Sequence, residues 1–325
     1  MSFETQPLVS VLTPVYNNAD YLPQCIESVL SQTYQNWDYL IVNNCSTDGS
    51  GEIAHSYAAK DARIRVHDNT TFLNAVPNHN FTLRQISPAS KYCKFVFGDD
   101  WIFPSCLQDM VAVAEQNPSV GIVGAYGLDG RWVVWDGLPY QSTVMTGRDV
   151  CRLLFLDKLY VLGTASSLLY RSDLVRTHDP FYNESNIHAD TEACIALLRQ
   201  CDFGFVHQVL AFTRQRPGSL MTTAKSINTL LAARLFELTR YGPGFLTSEE
   251  LRSCVEDRLS EYYNFLAVSL ILGHRDAKFW DFHIATLREF GGGFSRIRLY
   301  RAVVARLFRA GLNPVQTIEK WRLYT

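Results

Sequence analysis

The sequence predicts an α/β fold in which a mainly parallel sheet is flanked by helices, followed by a helical C-terminal region. Three observations carry that expectation. Short apolar, β-branched runs alternate with segments of helical spacing through residues 9–107, and each run stops at a turn rich in Pro, Asn, Asp or Gly. From about residue 224 onward the pattern turns almost wholly helical.

The elements follow in order. VSVLTPVY (9–16) is a buried strand ending in the polar NNAD, and Leu22, Cys25, Ile26, Val29 and Leu30 then fall at helical spacing, with Asp20 placed to cap. YLIV (39–42) is a second buried strand, STDGS a turn into a helix carrying Ile53, Ala54 and Tyr57, and residues 62–69 a third strand. Residues 81–86 belong to a helix, and KYCKFVF (91–97) is a fourth strand running into GDDW. Strands are expected at 120–128, 131–137 and 203–216, and helices at 147–156, 189–200, 229–239, 248–271 and 277–290. RPGSLMTTAKS (216–226) is the candidate linker, which divides the chain into a catalytic region, 1–220, and a helical region, 221–325.

A chain of 325 residues with 47% hydrophobic composition can bury one large core beside a smaller accessory region. A formal net charge of −2 supplies no global basic field, so nucleic acid is not an expected partner. Eight cysteines without a CxxC pair or a Cys/His cluster argue against a disulfide framework or structural zinc and suit a reducing cytoplasm. MSFETQPLVS has neither the basic start nor the apolar stretch of a signal peptide, and FLAVSLILG (265–273) is too short to span a bilayer.

In open α/β sheets ligands collect beyond the carboxyl ends of the strands, so 14–17, 43–46 and 98–100 are the segments to weigh first. Asp99 and Asp100 form a carboxylate pair that can hold a divalent cation through hard oxygen ligands while the cation neutralises a diphosphate. The same pair could instead cap a helix starting near Pro104.

Residues 9–50 and 91–107, with 189–214 downstream, resemble the inverting family 2 glycosyltransferases, which have the Rossmann-like GT-A fold. The resemblance implies a nucleotide-sugar donor, with a UDP-sugar the first expectation, and a saccharide or lipid-linked acceptor. It implies that Pro14, Tyr16 and Asn17 pack around the nucleotide base, and that Asn44 stands where the family usually has a base-reading aspartate. An amide both donates and accepts, whereas a carboxylate only accepts, so the base is left open. Asn78, or Asn80, falls where the family has a polar residue near the nucleotide. GDD matches the family's metal motif with glycine first. Asp99 would then face the ribose or a metal-bound water, and Asp100 would ligate Mg or Mn directly. Asp190 matches the family's general base, with Ala189 in place of the preceding acid. The alternative is that Asp190 only caps a helix and Glu192 is the base.

Arg214 and Arg216 end the last strand, where the family has a basic loop over the diphosphate, and guanidinium forks suit phosphate oxygens. An ordinary solvated turn is the other reading. His207 reads as a satisfied core histidine, Trp132 and Trp135 as core aromatics or an acceptor platform, and His188 as a lining residue of an acceptor pocket. From residue 296 on, Arg296, Arg298, Arg301, Arg306, Arg309, Lys320 and Arg322 face one acid, Glu319. With Ile297, Leu299, Val303, Val304 and Leu307 interleaved, this is either a basic amphipathic helix at the inner face of a membrane or a helix packed on the rest of the protein.

The function expected is sugar transfer from a nucleotide diphosphate to an acceptor hydroxyl in cell-surface polysaccharide or glycolipid synthesis. A sugar nucleotidyltransferase would call for a Gly-rich basic loop after the first strand, which TPVYNNAD lacks. A non-catalytic scaffold of the same fold would explain Asn43, Asn44, Gly98 and Ala189, but not the retained Asp99, Asp100 and Asp190. Sequence gives no expectation for the oligomeric state.

Overall fold

The computed structural model describes residues 6–216, 227–274 and 276–312. The candidate linker, apart from Arg216, and the tail with Glu319, Lys320 and Arg322 lie outside the described residues. The chain divides into two compact units, Met1–Ser219 and Leu220–Thr325.

The first unit is built on one sheet. β1 (Val9–Val15) is buried along its whole length, as a strand covered on both faces must be, and Thr13 is tolerated there because its hydroxyl donates to the Val96 carbonyl at 2.6 Å. β1 pairs in parallel with β2 (Trp37–Asn43) and β4 (Tyr92–Phe95), and β2 with β3 (Ile64–Asp68). Between them run α1 (Leu22–Leu30), α2 (Ser50–Ala58) and α3 (Ala75–Leu83). This half has the parallel character expected.

The other half is mixed. After β5 (Trp101–Ile102) and α4 (Cys106–Gln116) come β6 (Val120–Asp129), β7 (Trp132–Val134), β8 (Val144–Met145), α5 (Gly147–Phe155), β9 (Leu168–Arg171), α6 (Ser172–Arg176), α7 (Ala189–Leu197) and β10 (Asp202–Thr213). β9 inserts antiparallel between β4 and β6, and β10 lies parallel to β6. The strand order β3-β2-β1-β4-β9-β6-β10-β5 therefore points the carboxyl ends of β1, β2, β3, β4, β6 and β10 to one edge.

Two capping expectations are corrected. The cap position of α1 is Tyr21 rather than Asp20, and no side chain caps it: the Asn18 carbonyl accepts from both the Tyr21 and Leu22 N–H groups and Pro23 has no N–H to satisfy. α4 starts after Ser105, with β5 between it and the acidic pair, so Asp99 and Asp100 cap no helix. Trp132 stands exposed on β7, not in the core, while the Trp135 ring lies over Gly127 and Gly163, where a Cβ would meet it at 2.7 and 2.9 Å.

The second unit contains α8 (Thr229–Tyr241), α9 (Ser248–Ile271), α10 (Ala277–Phe290) and α11 (Arg296–Leu312). α9 opens with a capping box, Thr247 accepting from the Glu250 N–H at 3.2 Å and Glu250 accepting from the Thr247 N–H at 3.0 Å. Its core is Leu235, Leu259, Tyr262, Leu266, Phe279 and Leu287. Among the described residues no helix is long and apolar enough to cross a membrane.

His283 lies in that core, 2.7 Å from the Tyr262 hydroxyl through Nδ1, and burial holds its pKa down at about 4. The unfolded chain takes up a proton near pH 6.5 that the folded unit refuses until about pH 4. This contribution to stability is therefore complete above pH 6.5 and lost as pH falls, by about 1.4 kcal/mol per pH unit. Urea denaturation followed by far-ultraviolet circular dichroism at pH 7 and pH 5 should show the loss, and His283→Gln should flatten that part of the dependence.

Candidate active site

The parallel edge gathers the loops after β1, β2, β3 and β4 with the segment after β10, and the loop after β4 holds the acidic pair. Beyond β4 the chain turns through Gly98, Asp99 and Asp100. A Cβ at Gly98 would stand 2.8 Å from Asn18 Nδ2, so a larger residue there would have to displace the Asn18 side chain. Asn18 is itself buried, and its backbone N–H donates to Ser50 Oγ at 2.9 Å.

Asp100 is 3% exposed. Its Oδ2 accepts from Ser166 Oγ at 2.6 Å and its Oδ1 from the Arg214 backbone N–H at 3.0 Å. Burial, with the neighbouring Asp99 charge adding to it, pushes its carboxyl up to about 7 despite these donors. Asp99 Oδ2 accepts from Arg216 Nε at 2.7 Å, and the Asp99 carbonyl accepts from Arg214 Nε at 3.1 Å. Arg214 continues to Gln24 Oε1 at 2.7 Å, and its guanidinium lies over the rings of Tyr21 and Trp101, 4.5 and 5.3 Å from their centroids. Asp99, Asp100, Arg214 and Arg216 thus form one directly bonded cluster, which rules out an ordinary solvated turn for the two arginines.

A layer deeper, Lys94 on β4 is fully buried and donates to the Ser166 and Leu168 carbonyls at 2.7 and 3.2 Å. Ser166 Oγ also accepts from the Phe97 N–H at 3.1 Å. The short turn Ala165–Ser167 is therefore fixed from below by the Lys94 Nζ while Ser166 holds Asp100 above.

At the ends of β1 and β3, Tyr16 and Phe72 are 47% and 49% exposed, edge to face with centroids 4.8 Å apart. Asn17, in the left-handed region at φ 52°, accepts from the Thr47 N–H at 2.8 Å and ties the first two loops together. Pro14 lies within β1, buried and in register with Val42, rather than in the loop beyond it.

The asparagines serve the loops. Asn44, 2% exposed, donates to the Leu73 carbonyl at 2.7 Å and accepts from the Leu73 N–H at 3.0 Å and from Asn69 Nδ2 at 2.9 Å. Asn78 accepts from the same Asn69 amide at 3.0 Å. Asn80 grips Tyr182 in the same two-way fashion, at 2.8 Å each way. Asn43 donates to Asp68 at 2.8 Å.

Asp190 belongs to a different set of contacts. It sits in the first turn of α7, whose cap is His188, and accepts from the Thr191 N–H at 2.8 Å. Burial raises its pKa, and it acts by charge on Tyr182 and Tyr170. Glu192 accepts from Asn183 at 3.1 Å and Asn186 at 2.8 Å and so holds the preceding loop. His188 is buried, which lowers its pKa, and His207 is satisfied by the Ser142 carbonyl at 2.8 Å.

Sequence reasoning missed Phe72, Gln24, Tyr21 and Ser166. A lone aromatic after a strand in the polar run HDNTT was a usable signal for Phe72; nothing local marks Ser166, which reaches Asp100 across 66 positions.

The acidic pair, the two arginines and the aromatic pair thus lie at one parallel edge, where open α/β sheets bind ligands. Residues 10–168 match the model of glycosyl transferase family 2. EpsJ of Bacillus subtilis, named as a glycosyltransferase, is 39% identical over 119 residues, 36% of this chain and 33% of that one. EpsH of the same organism, also named as a glycosyltransferase, is 37% identical over 177 residues, 53% and 49% of the two chains. The chain thus matches a third to a half of the length of these relatives. The crystal structure of S. aureus TarS 1-349 with UDP-GlcNAc superposes with a TM-score of 0.66 at 17% identity, covering 97% of this chain and 90% of that one. The mannosyltransferase PcManGT from Pyrobaculum calidifontis, in complex with GDP-Man and Mn2+, gives 0.55 at 15% identity, covering 99% and 85%. Through residues 10–168 the chain belongs to glycosyltransferase family 2, and its first unit has the GT-A fold.

Removing the Ser166 hydroxyl would leave Asp100 Oδ2 and the Phe97 N–H without a buried partner. Ser166→Ala should therefore cost about 1–3 kcal/mol in a denaturation experiment, whereas Ser167→Ala, which loses only a local bond to the Thr164 carbonyl, should cost less.

Proposed function

We propose that the protein is an inverting glycosyltransferase that moves a sugar from a nucleotide-diphosphate-sugar, first among them a UDP-sugar, to a hydroxyl of a saccharide or lipid-linked acceptor in cytoplasmic synthesis of a surface polysaccharide. The observation that carries this reading is the Asp99–Asp100 pair bonded to Arg214 and Arg216 at the carboxyl edge of the sheet. The bound UDP-GlcNAc and GDP-Man of the two structural neighbours, and the name of a B. subtilis relative, TuaG, for teichuronic acid biosynthesis, support the donor and acceptor classes.

The donor set fits a divalent cation. Asp99 and Asp100 offer hard oxygens, and each Asp100 oxygen keeps a lone pair beyond the bond it accepts. Among the described residues no group of three His, Cys, Asp or Glu could hold a metal, so the remaining ligands would come from diphosphate and water, as Mg and Mn favour. Held by Asp100 with Asp99 beside it, the cation would neutralise charge on the departing diphosphate.

The chain's own residues do the rest. Arg214 and Arg216 present guanidinium forks to phosphate oxygens. Tyr16, with Phe72 as the partner the structure adds, offers an aromatic face to the base, and Asn17 holds the loop that carries it. Asn44 and Asn78 act by fixing the loop under that face. Asp190 accepts the acceptor's hydroxyl proton as the acceptor oxygen bonds to the anomeric carbon, while the bond from that carbon to the diphosphate oxygen breaks on the opposite face and the electron pair leaves with the diphosphate. Burial raises its pKa, which makes the carboxylate a stronger proton acceptor.

Calorimetric titration with UDP, GDP and dTDP, each with Mn2+ and with a chelator, tests the proposal. One nucleotide should bind in a metal-dependent way, and Asp100→Asn should abolish that dependence; no binding to any of the three would overturn the reading. Arg216→Ala should weaken the diphosphate by about tenfold or more while leaving the nucleoside alone unchanged. Because the Asp100 carboxyl titrates at about 7 and must be ionised to ligate, metal-dependent binding should fall by up to about tenfold per pH unit below that value.

A further inference from the structure

The second unit carries a surface that sugar transfer does not use. α11 is fixed on one side: Leu299 is buried, Ala302 and Val303 pack on the helical core, Arg298 bonds Glu256 at 2.9 Å, and Arg306 donates to Asn264 Oδ1 at 3.4 Å. Those contacts decide which way the rest of the helix faces. Ile297, Tyr300, Val304, Leu307 and Phe308 recur at the spacing of one helical stripe on the opposite side, and their exposure runs from 51% at Leu307 to 69% at Phe308. The stripe cannot turn inward without breaking the bonds to α9.

The helix sequence RIRLYRAVVARLFRAGL holds five arginines and no acid. At about 100° per residue, exposed Arg296 and Arg301 border the stripe on its two sides, and Arg309 lies further round. Five large apolar side chains in one exposed row are more than solvation of a single helix accounts for. The charge then selects the occupant. A second copy docked stripe to stripe would bring arginines against arginines with no acid on either helix to offset them. An anionic bilayer offers both what the stripe lacks and what the arginines seek: hydrocarbon at depth and phosphate at the rim.

We propose that α11 docks this protein on an anionic lipid surface, the stripe entering the headgroup boundary and Arg296 and Arg301 meeting lipid phosphates. This goes beyond the sugar-transfer reading and does not rest on it.

Flotation of the full chain with phosphatidylcholine vesicles, with and without phosphatidylglycerol, tests it directly. Binding should require phosphatidylglycerol and weaken with salt. Ile297→Ser/Phe308→Ser should abolish it, and Arg296→Gln/Arg301→Gln should reduce it by about fivefold per arginine. All four side chains are exposed, so melting temperature and nucleotide titration should be unchanged and would identify a merely misfolded variant. Equal binding to neutral vesicles, no binding, or binding unaffected by the apolar pair would overturn the proposal. So would a dimer, seen by sedimentation velocity, that the apolar pair dissolves without any effect on vesicles.

Discussion

Holding Asp100 ionisable inside the sheet edge is the constraint on which the rest of the first unit depends. A carboxylate nearly closed off from water, next to a second carboxylate, is stable only if donors reach it from several directions. They come from far apart in the chain: Ser166 from the turn before β9, the Arg214 N–H from the end of β10, and Arg216 through Asp99. Each donor is in turn placed by something else. Lys94 fixes the turn of Ser166 from inside the core, and the pairing of β10 with β5 and β6 sets the height of Arg214. The site is a product of the sheet order more than of any loop.

The β1 to β3 side of the edge obeys a different rule. Its loops have few apolar groups to bury, so their shape rests on amide side chains that imitate backbone pairing. Asn44 closes on Leu73 and Asn80 on Tyr182, each offering one donor and one acceptor in the geometry of a neighbouring strand. An aspartate at 44 could accept from Leu73 but not donate to it. An amide at 44 is thus what this loop construction uses, while the Tyr16–Phe72 pair stays about half exposed.

Much of this was legible in the sequence, because unbroken β-branched runs and helical spacing are local signals. The strands 9–16, 39–42 and 91–97 and most of the helices fall close to where periodicity puts them. The acidic pair and the two arginines were legible for the same reason: each follows a strand. What could not be read is what sets partners across the sheet. Nothing in LLYR marks β9 as an antiparallel insertion, which is why a mainly parallel sheet becomes a mixed one beyond β4. Pro14 looked like a loop residue because proline usually ends strands, yet a position needing no ladder donor admits it inside β1. The burial of Asn44 and the reach of Ser166 likewise depend on loops far away in sequence.

The place of β10 has a consequence for how the protein is made. β5, next to the acidic pair, finds its strand partner only in β10, more than a hundred positions later, and the backbone donor to Asp100 follows at 214. A chain emerging from the ribosome can assemble β1 to β4 once residue 95 has emerged, well before β10 is made. Until residue 216 has cleared the exit tunnel, the two carboxylates remain without their arginines and β6 shows an open edge. The nascent chain therefore passes through an interval with sheet formed and an unpaired strand exposed, the condition in which chaperone binding has most to protect.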